Sequence, residues 1–110
     1  MTAQFQHQTL GSGRWFTFSL AEQLGNIGSE VSRAIRARGD EKRFAGAVSR
    51  ALELFDFTIG DPRWRKRLKE LTRARELFCA AVLGSNEYQT SLEDLDRYFY
   101  YFAFAARAKR

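Results

Sequence analysis

The chain has a single cysteine, a single proline, a single histidine and no apolar run approaching the length of a membrane span. One cysteine, Cys79, cannot close an internal disulfide. One proline, Pro62, leaves most of the chain free to form long, uninterrupted helices, and argues against a loop-rich or all-β fold. The first ten residues, MTAQFQHQTL, have neither a basic start nor an apolar centre, so they do not read as a secretory leader. The expected compartment is the cytosol, with no membrane association.

Scarcity also bears on catalysis. The one histidine, His7, falls in an expected flexible tail over residues 1–14, where it is not held in register for proton transfer. There is no Glu-x-x-His pair of the kind that builds di-iron bundles. The arginine-to-histidine signature of helical HEPN ribonucleases is missing from every expected helix, as are a Walker loop and a G-x-G-x-x-G turn. Cys79 sits between Phe78 and Ala80 with no histidine in its helix to activate it, and reads as a packed thiol. The expectation is a non-enzyme with no cofactor, no metal and no small-molecule substrate.

What the sequence does contain is globular and helical. Its 110 residues suit one domain, and 45% hydrophobic with 28% charged residues sets it apart from disordered chains. Ser19 and Glu22 form a capping box, with Trp15, Phe16 and Phe18 just ahead of it. Leu20, Leu24, Ile27, Val31 and Ile35 then recur at helical spacing, and Gly39 and Asp40 mark a stop and a restart. A second apolar stripe comprises Phe44, Ala47, Val48, Ala51, Leu52, Phe55 and Ile59. Gly60-Asp61-Pro62 punctuates it with a C-terminal stop, an N-cap and a first-turn proline. A third helix is expected to bury Trp64, Leu68, Leu71, Phe78 and Val82 up to Gly84. Thr90 and Glu93 offer another capping box before a fourth stripe of Leu92, Leu95, Phe99, Phe102 and Ala106. Helices over about 19–38, 41–59, 62–83 and 91–107, with short links, predict an all-α, up-down-up-down four-helix bundle over residues 15–110.

Three features stand outside this core pattern. Net charge is +5, and residues 61–75 alone carry seven basic and two acidic side chains. Counted at 100° per residue from Trp64, Arg65, Lys66, Lys69 and Arg73 lie opposite the apolar stripe, as a cationic strip suited to phosphates. Arg75 falls on the apolar side and needs a carboxylate, from Glu30, Glu53 or Asp56. The fourth helix holds six of the sixteen aromatics within residues 98–104. Tyr98, Tyr101 and Phe104 are expected to face away from the core, as a subunit interface. Gly25, Gly28, Ser29 and Ser32 share a small-residue face that lets another helix approach closely.

The segments LGNIGSEVSRA (residues 24–34) and DPRWRKRLKEL (residues 61–71) look like those of short bacterial bundle proteins of unassigned function. Over residues 18–107, length, helix pattern and charge resemble the accessory variability proteins of diversity-generating retroelements and the related 23S rRNA intervening-sequence proteins. That resemblance implies a homo-oligomeric ring, pentameric in the accessory proteins, that binds a reverse transcriptase and its template RNA. The expected function is a non-enzymatic RNA-binding accessory protein. The competing expectation is a homo-oligomeric scaffold or protein-interaction module whose charge serves solubility.

Overall fold

A computed structural model describes residues 13–85 and 89–108, and among them every regular element is helical. Four α-helices account for most of the chain: α1 (Leu20–Arg36), α2 (Glu41–Ile59), α3 (Leu68–Val82) and α4 (Leu92–Ala108). Two 3₁₀ segments precede α1 and α3, at Arg14–Thr17 and Pro62–Arg67. The expected tail lies outside the described residues up to residue 12, and His7 with it.

Local chemistry explains where the helices start and stop. At α1 the Ser19 hydroxyl accepts from the Glu22 amide (3.1 Å), while the Glu22 carboxylate accepts from the Ser19 amide (2.9 Å). Gly39, at φ +92°, turns the chain after α1, and Asp40 accepts from the Arg43 amide to begin α2. Asp61 accepts from the Arg63 amide, with Pro62 at the first position of the turn. The cap of α4 falls one residue later than the sequence suggests. Ser91 and Asp94 bond reciprocally, at 3.0 and 3.1 Å, in place of Thr90 and Glu93. Aspartate serves the third helical position as glutamate does elsewhere, because the shorter carboxylate still reaches the cap amide.

The larger departure is at the start of α3. The expected stripe runs through Trp64 to Leu68, yet Leu68 is 39% exposed and is not part of the core. Residues 62–67 wind as a 3₁₀ segment, and Trp64 itself is non-helical at φ −104°, ψ 23°. A 3₁₀ turn advances about 120° per residue rather than about 100°, so four residues rotate Leu68 roughly 80° from its expected place. Beyond the slip Leu71, Ala74 and Phe78 are buried.

The core gathers Leu24, Ile27 and Val31 of α1, Leu54 and Phe55 of α2, Leu71 and Phe78 of α3, and Leu92, Leu95 and Phe99 of α4. Phe55 lies at its centre, with ring centroids 5.7 Å from Phe78 and 5.8 Å from Phe99. Helix α1 packs closely on both α4 and α2, whereas α3 and α4 touch sparingly. The α1–α4 seam is tight because Gly25 and Gly28 lie beneath α4. A β-carbon on Gly28 would stand 2.6 Å from that of Phe99, and one on Gly25 3.0 Å from the Ala103 backbone.

One end of the core is closed by a buried polar network. Trp15 is fully buried, and its indole N–H donates to the Thr58 hydroxyl at 3.1 Å. The Gln23 amide donates to the Trp15 carbonyl and the Asp61 carboxylate, and its oxygen accepts from the Trp64 indole at 2.9 Å. Gln23 thus joins α1 to the two 3₁₀ segments and the Asp61 cap between α2 and α3. Among the described residues no buried side-chain polar atom lacks a partner.

Candidate nucleic-acid interface

The seven cations of residues 61–75 separate into two groups once their partners are known. Arg63 is committed to Asp61 (2.7 Å) and to the Phe18 carbonyl (2.8 Å), with its guanidinium 4.4 Å from the Trp64 ring. Burial pushes the Asp61 carboxyl up, but hydrogen bonds from Arg63 and then Gln23 outweigh it and hold the group below the usual carboxylate range. Arg67 pairs with Glu70 at 2.7 Å. Of the three carboxylates proposed for Arg75, Asp56 is the one that its Nε reaches, at 2.9 Å. Glu30 instead takes Arg33 and Arg50.

The second group is Arg65, Lys66, Lys69 and Arg73, all exposed. Arg65, Lys66 and Lys69 form no ion pair with any described residue, and Arg73 lies 3.6 Å from Glu76. The strip is not the continuous i, i+4 row that the sequence count implies. Arg65 and Lys66 sit on the 3₁₀ segment, while Lys69 and Arg73 sit a full turn apart on α3. It is therefore a two-part basic ridge. Arg73 also borders an apolar cleft of about 330 Å³ between α3 and α4, walled by Ala74, Leu77, Leu95 and Tyr98.

On α4 the aromatic residues divide differently from expectation. Tyr101 and Phe104 are exposed, at 72% and 57%, and Tyr100 joins them at 57%. Tyr98 does not face away. It packs on the core and donates its hydroxyl to Glu70 at 2.6 Å. Burial, and then the Glu70 carboxylate, push the phenol well above its ordinary value, while Arg67 first and Tyr98 second hold Glu70 below the usual carboxylate range. Tyr98 lies roughly 80° from the middle of the apolar stripe, a flanking position that α3 covers. Cys79 is partly buried, with the Arg75 guanidinium 3.8 Å from its sulfur.

A further cationic surface has no counterpart in the sequence reading. Arg33 and Arg36 of α1 face Lys42, Arg43 and Arg50 of α2 across a groove of about 710 Å³. The sequence scores these stretches as nearly neutral, since residues 1–60 carry seven basic and six acidic side chains. Only the folded hairpin brings the cations to one side. No family model, curated protein or solved structure matches the chain.

Proposed function

We propose that the chain is a non-enzymatic, cytoplasmic accessory protein that binds RNA through the ridge of Arg65, Lys66, Lys69 and Arg73, on a bundle of up-down-up-down topology. The observation that carries this reading is the set of three exposed cations without a carboxylate partner among the described residues, beside Arg63, Arg67 and Arg75, which are each paired. Cations left unneutralised in so short a stretch repel one another, a cost that a polyanion relieves by releasing its own counterions. The ridge is a positioning surface for phosphates and carries no base-reading geometry. A reverse transcriptase is the protein partner implied by the resemblance to the retroelement accessory proteins.

The exposed cluster of Tyr100, Tyr101 and Phe104 favours self-association alongside this activity. A homo-oligomer would repeat the ridge around its surface and raise affinity by multivalency. A scaffold without nucleic-acid binding is the reading that remains if the ridge proves inert. Fluorescence anisotropy with a labelled single-stranded RNA in rising salt separates the two. If Arg65, Lys66 and Lys69 each neutralise one phosphate, log affinity falls against log salt with a slope of about −2, at about −0.7 per phosphate. No binding at physiological salt leaves the scaffold.

A further inference from the structure

The groove between α1 and α2 is built as few ordinary charged faces are. Arg33, Arg36 and Ala37 are spaced three and four apart on α1, and Arg43, Gly46, Ala47 and Arg50 are similarly spaced on α2, so each set lies on one face. The small side chains of Ala37, Gly46 and Ala47 leave the space between the helices unfilled, and the long cationic ones rise around it. Glu30, its side chain only 5% exposed, holds two of the arginines: Arg33 at 3.0 Å and Arg50 at 3.3 Å. A buried carboxylate that grips two guanidinium groups fixes their direction at small entropic cost on binding.

Charge balance leaves the site unsatisfied. Five cations line the groove, and Glu30 pairs with two of them, Arg33 and Arg50. Among the described residues Arg36 bonds the Ser32 hydroxyl, at 2.8 Å, and the side chains of Lys42 and Arg43 form no ion pair. Asp40 caps α2, and Glu41 borders a different depression, with Arg38 and Phe44. A concave, low-dielectric wall focuses such a field more than a convex ridge does. No aromatic side chain lines the groove, so it has no platform for stacking a base.

From these features we infer that the α1–α2 groove is a phosphate-binding site, taking two or more linked phosphate groups of a phosphate chain without reading what they carry. Arginine dominance suits it to bidentate contact with phosphate oxygens. This site rests on its own residues and not on the ridge. The chain of phosphates can be a nucleic-acid backbone or a free polyphosphate, since both present the same oxygens.

Calorimetric titration of the full chain with inorganic tripolyphosphate tests this, with a uridine oligoribonucleotide as competitor. Arg36→Gln, Lys42→Gln and Arg43→Gln combined remove three cations that pair with no carboxylate among the described residues. That variant should bind tripolyphosphate at least about tenfold more weakly, the loss of one or more charged hydrogen bonds. Gly46→Leu fills the groove with every cation retained, and should weaken binding likewise. Arg107→Gln, which removes an exposed cation of α4 outside both basic surfaces, should leave it unchanged. Competition by the oligoribonucleotide would make a nucleic-acid backbone the occupant. Tripolyphosphate binding without competition would keep the groove as a polyphosphate site separate from any RNA bound on the ridge. Groove variants that bind like the parent overturn the site, even where ridge variants lose RNA.

Discussion

Gly28 and Gly46 are both helical glycines, yet their surroundings predict opposite responses to alanine. At Gly28 the added β-carbon meets that of Phe99 at 2.6 Å, close to both main chains, and neither can withdraw without moving a helix. Overpacking of this kind costs about 1–3 kcal/mol, which exceeds the helix-propensity gain of about 1 kcal/mol. Gly28→Ala should lower the thermal midpoint. At Gly46 the nearest atom is the Arg50 Nη1 at 3.3 Å, which need give by only a few tenths of an ångström and can do so while its Nε stays on Glu30. Gly46→Ala should therefore raise stability, by up to about 1 kcal/mol. Thermal unfolding by circular dichroism checks both, and equal shifts of the same sign would show that the α1–α4 seam is misplaced. Asp61 gives a pH-dependent counterpart. Its carboxyl is held below the ordinary value, so it binds fewer protons folded than unfolded at intermediate pH. Its contribution is present above the ordinary carboxylate range and lost as pH falls through and below it. Asp61→Asn should flatten the fall in stability below about pH 5. A variant with the parent's acid profile would remove Asp61 from that role.

At the scale of the helix, the contrast between Phe99 and Leu68 tests the packing. Phe99 is fully buried against Phe55 and α1, and Phe99→Ala should cost about 3–5 kcal/mol. Leu68 stands on the exposed side of the 3₁₀-to-α junction, so Leu68→Ala should change stability by about 0.5 kcal/mol or less. Denaturant midpoints decide it, and a large cost at Leu68 would restore an unbroken helix from Pro62. This junction also shows what sequence periodicity can and cannot carry. The apolar stripes of α1, α2 and α4 are readable because each helix keeps one period from cap to cap. The third stripe is misread because a change from one helical pitch to another leaves composition untouched while rotating all that precedes it. Tyr98 escaped for a related reason. A wheel places it on the flank of α4, and only the presence of Glu70 on α3 makes that flank an interior one. Gln23 gave no signal, since a polar residue in an apolar stripe declares itself only through its partners.

At the scale of the molecule, charge legible along the chain and charge assembled by folding are separate quantities. The ridge was visible as a dense run over 61–75, whereas the α1–α2 groove arises from two nearly neutral stretches folded face to face. The aromatic cluster is likewise a whole-molecule matter. Tyr101→Glu with Phe104→Glu should leave a monomer with native helicity, because both side chains are exposed in the single chain and any assembly through them would bury two charges. Light scattering that finds the unmodified chain monomeric at micromolar concentration would rule this interface out. The most direct test of the central claim is RNA affinity for the full chain with Lys66→Glu and Lys69→Glu. Both positions are exposed and form no ion pair with a described residue, so fold and helicity should be retained. RNA binding is predicted to be lost at physiological salt. A double variant that binds RNA as the parent does, with the same salt slope, would contradict the ridge as the binding surface.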